Sequence, residues 1–370
     1  MTNPIGIYIH IPFCVQKCNY CNFYSVNKTE LVSNYVDKAA KELKRWGGLT
    51  ARPVSSIYFG GGTPSLLDSK QFDLLVNAVY KNFAVETGAE ITAEINPADN
   101  LDVLLPDFKK SGCNRLSIGL QSGNDDELKI LGRRHTVNDA VSAFKTARKS
   151  GFDNISLDLM TSLPFSTEKT LKNSLDLILS LSPEHISTYM LKLEEGTPLH
   201  KIRNNFVFPD DDAAAEQYMQ THFALTGAGY EHYEISNFAK KGYESRHNSL
   251  YWDCGEYLGV GPAAHSFLDG KRFYYQNNLH AFLDNPTTVL DGVGGGQDEY
   301  VMLGLRLKKG ISDNEFFKRY GTHLPTTLFD KARLFEKNGL CKIDGDNISL
   351  TAPGMLVSNS IITSFIEELI

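Results

Sequence analysis

The stretch GIYIHIPFCVQKCNYC, residues 6–21, joins a predicted β-strand to three closely spaced cysteines. Isoleucines alternate with other residues in the predicted strand, residues 6–12, which is typical of a strand with one buried face. Cys14, Cys18 and Cys21 follow within a span of eight residues. Because functional residues of parallel α/β proteins gather at the carboxyl ends of the strands, this stretch predicts a first strand with a reactive site at its end.

Similar strand patterns recur outward from this stretch and alternate with helical patterns. The further predicted strands cover residues 56–61, 90–96, 115–121, 154–160 and 185–193. The predicted helices between them cover residues 29–46, 69–82, 101–111, 136–150 and 167–181. Such alternation forms parallel strands with right-handed helical crossovers, so it predicts an α/β fold that closes as a barrel or stays an open sheet.

Glycine and polar residues stand at the ends of these strands, as a site at that edge requires. GGGTPS, residues 60–65, follows the second strand, Glu94 and Asn96 end the third, Gln121 ends the fourth, and Asp158 lies late in the fifth. Glycines allow positive φ angles and close backbone approach, but the Lys-Ser/Thr ending of a phosphate loop is absent here. We therefore do not expect a phosphate-binding loop.

The pattern changes beyond residue 210, which divides the chain into three predicted parts. Residues 211–296 contain a predicted helix and an aromatic-rich segment, and end near DGVGGGQ, residues 291–297, a run typical of a flexible connector. The first predicted part is residues 1–210, which hold the alternating strands and helices. The third part, residues 297–370, resembles a winged helix. Its predicted elements are helices at 298–308, 312–320 and 325–338, a hairpin at 341–351 and a final helix from 353.

The charge distribution argues against a nucleic-acid partner. The chain has a formal net charge of −7, and residues 297–370 carry nine Lys and Arg against ten Asp and Glu, a balance of 9 − 10 = −1. Phosphate contacts dominate the affinity of DNA-binding proteins and need a basic face. We therefore expect no nucleic-acid binding, and expect the winged-helix-like part to act in packing or as a lid.

The cellular location and the cysteine content constrain the chemistry. No run of about eighteen uncharged apolar residues occurs and the N-terminus lacks a signal-peptide pattern, so we expect a cytoplasmic protein. Clustered cysteines in a cytosolic chain favour a metal or redox role over disulfides. The isolated Cys113, Cys254 and Cys341 are expected to be small buried hydrophobic residues.

Three cysteinates can hold three corners of a 4Fe-4S cluster and leave the fourth iron open, whereas electron-transfer ferredoxins normally use four. The alternative is a zinc ion bound by the same cysteines with His10 as a fourth ligand. Structural zinc sites usually draw on two distant ligand pairs. The spacing therefore favours the iron–sulfur cluster and leaves zinc open.

The motif CVQKCNYC, residues 14–21, resembles the CxxxCxxC signature of the radical S-adenosylmethionine (SAM) enzymes. Tyr20, just before the last cysteine, also matches the family pattern. In that family the amino and carboxylate groups of SAM chelate the open iron, and one electron from the cluster cleaves a carbon–sulfur bond of SAM. The resemblance implies that the three cysteines ligate iron and that SAM is a cofactor.

Further motifs are similar to one branch of that family, the oxygen-independent coproporphyrinogen III oxidases and the related HemW heme chaperones. These motifs are YIHIPFC, GGGTPSLL, IGLQS, LGRRH and DLMTSLP, and the likeness covers nearly the whole chain. It implies that the glycine-rich loop holds the SAM amino group through Gly61, Gly62 and Thr63. The side chains that it implies at or near SAM are Tyr8, Tyr20, Glu94, Gln121, Arg133, Asp158, Lys192 and His265.

Departures from the oxidases favour the chaperones. The oxidases carry an N-terminal extension and a further cysteine two residues after the third cluster cysteine. Here thirteen residues precede Cys14, and Phe23 stands at the position of the extra cysteine. A separate departure concerns the whole family, since the loop TSLPFST, residues 161–167, replaces the usual GLPGQT-like loop and affects the loop geometry expected after Asp158.

The segment RHNSLYW, residues 246–252, resembles the HNxxYW motif of HemW proteins, which has been associated with heme. The resemblance implies heme binding with His247 as an axial ligand, because a neutral imidazole suits heme iron. Tyr251 and Trp252 would add flat apolar surface. A histidine packed in an interdomain core is the alternative.

Together these observations predict an α/β protein built as a partial, six-stranded (β/α) TIM-like barrel of the radical SAM type with a C-terminal winged-helix-like domain. The resemblance implies a HemW-type heme chaperone that binds heme, carries a 4Fe-4S cluster with SAM, and hands heme to heme-accepting respiratory proteins. It implies an electron donor and allows peripheral membrane association through partners. Radical SAM decarboxylation of coproporphyrinogen III is the alternative function, and we expect it to fail without the extra cysteine.

Overall fold

Six parallel strands form the centre of the computed structural model, which describes residues 3–369. The strands are β1 (Ile5–Ile11), β2 (Pro53–Gly61), β3 (Ala84–Ile95), β4 (Arg115–Gln121), β5 (Ile155–Thr161) and β6 (His185–Met190). The helices that connect them are α1 (Val32–Gly47), α2 (Ser69–Asn82), α3 (Leu101–Lys110), α4 (Asp125–Ile130), α5 (Val137–Lys149) and α6 (Glu168–Leu181). The predicted α/β fold with a partial barrel is confirmed, and only the short α4 was not predicted.

The central strands have one apolar and one polar face. In β1 every second residue from Ile5 to Ile11 is fully buried and belongs to the hydrophobic core formed with the helices. The alternate residues of β1 face the concave side of the sheet together with polar residues of the neighbouring strands. On this side Gly6 of β1 pairs with Ser56 of β2, and Ser56 pairs with Glu90 of β3. Because strand side chains alternate between faces, this period of two places an apolar layer outside and a polar lining inside.

The sheet stays open and continues beyond the barrel strands on both sides. It has twelve strands among the described residues, in the order β12-β11-β10-β9-β1-β2-β3-β4-β5-β6-β8-β7. The added strands are β7 (Glu231–Glu234), β8 (Asn237–Ala239), β9 (Tyr257–Val260), β10 (His265–Leu268), β11 (Lys271–Tyr275) and β12 (Thr288–Val293). The helices of this region are α7 (Pro198–Lys201), α8 (Asp211–Gly227), α9 (Arg246–Trp252) and α10 (Leu279–Asp284).

The prediction of a flexible connector at residues 291–297 is wrong for its first part. Residues 291–293 belong to β12, which pairs with β11 as an edge strand of the sheet. β9 runs parallel to β1, with Gly6 opposite Tyr257. The aromatic-rich segment therefore adds strands to the barrel sheet, while the division of the chain into three domains stays a prediction.

The C-terminal region forms a smaller unit with its own hydrophobic core. Its elements are α11 (Gln297–Gly304), β13 (Ile311–Ser312), α12 (Asp313–Tyr320), α13 (Thr326–Lys337), β14 (Cys341–Asp344), β15 (Asn347–Leu350), α14 (Ala352–Leu356) and α15 (Ser358–Ile366). It joins the edge of the large sheet, because the Ile235 amide donates to the Arg306 carbonyl and the Lys308 amide to the Tyr233 carbonyl. These backbone bonds fit a packing role.

Two further expectations can be compared with the structure. Cys113, Cys254 and Cys341 are all buried, as predicted for isolated cysteines. Across residues 3–369, none of the helices is both long and apolar enough to cross a membrane. Short 3-10 helices complete the secondary structure at Thr29–Leu31, Pro64–Leu66, Arg203–Asn205 and Glu367–Leu369.

The unusual loop after β5 has a strained backbone. Ser162 and Phe165 both have φ of 58°, a left-handed conformation that disfavours residues with a Cβ atom. Tertiary contacts hold the loop, since the Ser162 amide donates to Gln217 Oε1 at 2.8 Å and the Phe165 amide to the Val207 carbonyl at 2.8 Å. The Ser162 hydroxyl is buried without a hydrogen-bond partner among the described residues.

Replacing Ser162 with glycine should stabilise the protein by about 1 kcal/mol, because glycine relieves the left-handed strain and removes a buried hydroxyl without a partner. Chemical denaturation would measure this change. Ser142→Gly, the same substitution at an exposed site inside α5, should instead destabilise by about 0.5 kcal/mol. Equal destabilisation by both substitutions would contradict the assignment of strain to Ser162.

Candidate functional site

A cavity of about 390 Å³ opens at the carboxyl ends of the barrel strands. All three clustered cysteines line it, together with residues from the ends of β2 to β6. The other predicted site residues that line the cavity are Tyr20, Gly61, Gly62, Thr63, Glu94, Gln121, Arg133, Asp158 and Lys192. The structure therefore brings twelve of the fifteen predicted site residues to one place, at the edge where parallel strands place functional groups.

The loop with the cysteines is closed at its base by backbone hydrogen bonds. The Cys14 amide donates to the Val26 carbonyl at 2.9 Å, and the Val26 amide donates to the Pro12 carbonyl at 2.8 Å. The three thiols are partly exposed on this loop, and burial raises the pKa of Cys21. The loop is thus a fixed platform that presents three thiols to the cavity.

Asn19, which the sequence argument missed, ties this platform to the rest of the barrel. Its side-chain amide donates to the Ile130 carbonyl at 2.8 Å, and its backbone amide donates to the Leu131 carbonyl at 2.9 Å. Gly132 has φ of 68° and lies so close that a Cβ atom there would be 2.8 Å from the Asn19 side chain. The position of Asn19 between two of the three closely spaced cysteines was the only sequence signal for this role.

The glycine-rich loop packs directly on the cysteine loop. Gly61 has φ of 103°, and a Cβ atom there would overlap the His10 ring. The Gly62 amide donates to the Ile11 carbonyl at 2.8 Å, and a Cβ atom on Gly62 would lie 2.6 Å from the Phe13 carbonyl oxygen. The loop needs glycine at both positions because the backbones approach this closely.

Arg133 projects from the loop after α4 toward the thiols. Its Nη1 atom donates to Cys18 Sγ at 3.3 Å, and its Nη2 atom donates to the Gly119 carbonyl at 3.0 Å. Its buried Nε atom has no hydrogen-bond partner among residues 3–369. A guanidinium with an unused donor beside an open cavity suits a carboxylate ligand, which binds arginine through paired hydrogen bonds.

Two carboxyl groups lie at the floor of the cavity. Glu94 accepts a hydrogen bond from the Tyr58 hydroxyl at 3.0 Å, and Asp158 accepts one from the Ser117 hydroxyl at 3.0 Å. Burial raises the pKa of Glu94 to about 7, with a further contribution from the Asp158 charge. Burial also raises the pKa of Asp158 to about 6. Hydroxyl groups or a positive charge on a ligand would compensate these carboxylates.

Three predicted cofactor contacts lie outside the cavity lining. Tyr8 is inside the barrel, with its hydroxyl 3.0 Å from His10 Nδ1. His265 is exposed at the start of β10, where its ring stacks on Tyr274 at a centroid distance of 5.0 Å. His247 lies on α9, apart from the cavity. The first two thus remain predictions without support from the cavity geometry.

His247 is fully buried, and both of its ring nitrogens are engaged. Nδ1 lies 2.8 Å from the Ser56 hydroxyl, and Nε2 lies 2.7 Å from the Tyr251 hydroxyl. In this conformation neither nitrogen can reach an iron atom, so the structure matches the packed-histidine alternative. Heme ligation by His247 stays a prediction that requires one of these two hydrogen bonds to break and the ring nitrogen to become accessible.

The zinc alternative is not supported either. His10, its proposed fourth ligand, is buried with one ring nitrogen at the Tyr8 hydroxyl and the other 2.9 Å from the Tyr24 carbonyl oxygen. Throughout residues 3–369, no three His, Cys, Asp or Glu side chains converge on one point where they could bind a single metal ion. The thiols instead border a larger space.

Comparison with known families identifies the class of protein. Residues 8–178 match the radical SAM superfamily, and residues 298–357 match the HemN C-terminal domain. The barrel and its cysteine-lined cavity therefore define a radical SAM protein. The heme chaperone HemW of Bacillus subtilis is 34% identical over 98% of this chain and 99% of its own length, and that of Lactococcus lactis is 31% identical over 100% and 99%. This chain belongs to the HemW family.

The same overall fold occurs in a solved structure. Coproporphyrinogen III oxidase (HemN) from Escherichia coli, described as a radical SAM enzyme, superposes with a TM-score of 0.82. The match covers 98% of this chain and 90% of that one, at 22% sequence identity. The likeness shows that the barrel and the C-terminal unit share the HemN architecture.

The pKa of Glu94 in the folded protein lies above its ordinary value of 4.5, so the folded state favours the protonated carboxyl group. The resulting contribution to the free energy of unfolding is fully present below about pH 4.5 and is lost as pH rises through about 7. The protein without cofactors should therefore be less stable at about pH 8 than at about pH 5, and Glu94→Gln should remove roughly 2 kcal/mol of that difference. Chemical denaturation at both pH values measures the effect.

Glu195→Gln, which changes an exposed carboxylate in the loop after β6, serves as the control and should leave the pH dependence unchanged. If the free energy of unfolding of Glu94→Gln depends on pH as that of the wild type does, then ionisation of Glu94 in the cavity does not lower stability, which contradicts the prediction.

Proposed function

We propose that this protein is a heme chaperone that binds heme, carries a 4Fe-4S cluster with SAM, and transfers heme to respiratory acceptor proteins. The observation that carries this proposal is the similarity to heme chaperones over the whole chain. A full-length match includes the C-terminal unit and the HNxxYW segment as well as the barrel. The proposal includes heme-accepting respiratory proteins, an electron donor for the cluster and a cytoplasmic location.

The donor set at the cavity fits a 4Fe-4S cluster. Cys14, Cys18 and Cys21 line the same cavity, and three cysteinates can hold three corners of a cube whose corners are separate iron atoms. When bound by three cysteinates, such a cluster supplies one open iron and one electron for reductive chemistry. The Thr63 hydroxyl lies 3.4 Å from Cys14 Sγ and donates to it, and the Arg133 guanidinium donates to Cys18 Sγ at 3.3 Å, so polar groups of the cavity already face the sulfur atoms.

The remaining polar groups of the cavity fit SAM. The unused Nε donor of Arg133 suits the carboxylate of the methionine portion. Glu94 and Asp158 suit ribose hydroxyls or the sulfonium charge, and either interaction would favour their ionised forms. The backbone of Gly61 and Gly62, open on the cavity side, suits the amino group.

The side chain at the cavity mouth favours a carrier over an oxidase. Phe23 occupies the position of the oxidases' extra cysteine and is 67% exposed at the cavity. A phenyl ring has no acid–base, redox or metal-ligand capacity, so it cannot replace a thiol in decarboxylation. It can instead offer flat apolar surface to a porphyrin.

The cofactor assignment predicts separable effects of neighbouring residues. Arg133→Ala should weaken SAM binding roughly ten- to hundredfold, the usual cost of a charge-assisted hydrogen bond, while iron and sulfide content stays unchanged. Cys18→Ala should lose both the cluster and SAM binding. Anaerobic reconstitution, iron and sulfide analysis and equilibrium SAM binding would measure these effects.

The neighbouring Arg134 provides a matched control, because its guanidinium pairs with Asp99 at 2.6 Å and lies outside the cavity lining. Arg134→Ala should change neither the cluster nor SAM affinity. Full iron and sulfide content in Cys18→Ala, or wild-type SAM affinity in Arg133→Ala, would remove that residue from the proposed site.

The carrier proposal predicts heme binding without porphyrinogen chemistry. The reconstituted wild-type protein should bind heme, yet with SAM and a reductant it should not convert coproporphyrinogen III, because Phe23 replaces the extra cysteine. Heme absorption titration and anaerobic product analysis test the two parts, with HemN from Escherichia coli assayed in parallel. Formation of the decarboxylated product would overturn the carrier proposal in favour of the oxidase.

A further inference from the structure

The HNxxYW segment closes the opposite end of the barrel from the cavity. Glu90, on the inner face of β3, accepts hydrogen bonds from the backbone amides of Arg246 at 3.1 Å and His247 at 3.0 Å. These amides belong to the first turn of α9, whose amides lack partners within the helix. β3 therefore anchors α9 across the amino ends of the strands.

His247 projects from α9 into the barrel, where it is held on several sides. Its ring nitrogens lie at the Ser56 and Tyr251 hydroxyls, as described above. Gly6 of β1 leaves room for the ring, since a Cβ atom there would lie 3.0 Å from it. Burial lowers the pKa of His247 to about 3, so the ring is a neutral partner in this network.

The ring of His247 stacks on Tyr58, with centroids 5.2 Å apart and planes inclined by 27°. The Tyr58 hydroxyl in turn donates to Glu94 Oε1 at 3.0 Å. Glu94 lines the cavity at the other end of the barrel. A continuous path of contacts thus runs from α9 through His247 and Tyr58 to a carboxylate of the cofactor site.

We propose that His247 is a positioning residue for the cofactor cavity, which holds Tyr58 and through it orients Glu94 toward SAM. This inference rests on the proposed function, because it takes SAM as the ligand of Glu94. It gives the HNxxYW histidine a role that needs no contact with heme. The stacked His247 ring limits the positions of the Tyr58 ring, so the hydroxyl stays directed at Glu94.

The rest of the segment links this path to the C-terminal unit. The guanidinium of Arg306 lies over the Trp252 ring, 4.3 Å from its centroid. Arg306 also approaches the buried Glu234 of β7, with Nη2 3.8 Å from Oε2. One helix therefore contacts the C-terminal unit through Trp252 and the barrel interior through His247.

The test is a double-mutant cycle on SAM affinity, measured on the full-length protein with its cluster. Tyr58→Phe removes the hydrogen bond to Glu94 and should weaken SAM binding roughly two- to tenfold. His247→Ala should weaken SAM binding to a similar extent. The double variant should bind SAM no more weakly than whichever single variant has the lower SAM affinity, because both substitutions break the same path of contacts.

His185 offers a closely matched control. It is also fully buried in the barrel, with one ring nitrogen 2.8 Å from the Ser156 hydroxyl and the other 2.8 Å from the Tyr233 hydroxyl, but it does not contact Tyr58. His185→Ala should lower stability as His247→Ala does, yet leave SAM affinity unchanged. His247→Gln, which keeps polar groups in the site, should recover SAM affinity at least in part and serves as the test if His247→Ala does not fold.

The outcomes separate this inference from the proposed function. A wild-type protein that does not bind SAM would refute the cofactor assignment on which both depend. If the wild type binds SAM, then unchanged affinity in His247→Ala, equal losses in His185→Ala, or additive losses in the double variant would each overturn the positioning role. Loss of heme affinity in His247→Ala with unchanged SAM affinity would also overturn it, in favour of heme ligation.

Discussion

The hydrogen bonding of polar groups inside the partial barrel is the constraint on which the rest of the structure depends. The concave face carries serine, histidine, carboxylate and arginine side chains where many barrels carry aliphatic ones, and each such group loses water on burial. The structure compensates by pairing hydroxyl groups with imidazole or carboxylate groups, as Ser56 does with His247 and Ser117 does with Asp158. A polar interior is stable only where such partners are supplied.

The two ends of the barrel meet this requirement differently. At the amino ends of the strands, α9 closes the interior and engages Ser56 and Glu90, while Arg115 Nε and Trp252 Nε1 stay buried without hydrogen-bond partners among residues 3–369. At the carboxyl ends, the Arg133 Nε donor and the two carboxyl groups with raised pKa values are compensated incompletely. The cavity at that end is therefore suited to a ligand that brings a carboxylate, hydroxyls and a positive charge. The same physical requirement thus produces a structural floor and a binding site in one barrel.

The fold leaves room for different chemistry at the same cavity. The barrel and the C-terminal unit superpose on HemN with a TM-score of 0.82, so the two chains share this architecture at 22% sequence identity. In this chain the exposed ring of Phe23 borders the cavity, and Ser162 and Phe165 both have a left-handed backbone in the loop after β5. His247 is packed inside the barrel, so in this conformation the surfaces open to heme do not include the HNxxYW histidine.

The sequence by itself determined the six barrel strands, the helices between them and twelve residues of the cavity. Strand alternation, helical periodicity and the strand-end rule are local patterns, and they indicated the elements and the cavity residues at the strand ends. Tyr20, Arg133 and Lys192 were implied only by the resemblance of the motifs to a known family. Only the tertiary structure decided that the aromatic segment extends the sheet, that Asn19 anchors the cysteine loop, and that His247 is enclosed with Ser56 and Tyr251. These features depend on contacts between residues far apart in the chain, and burial or an occupied ring nitrogen leaves no periodic signal in the residues themselves. A histidine looks the same in the sequence whether it binds iron or closes a barrel, because its neighbours in space determine which groups its nitrogens meet.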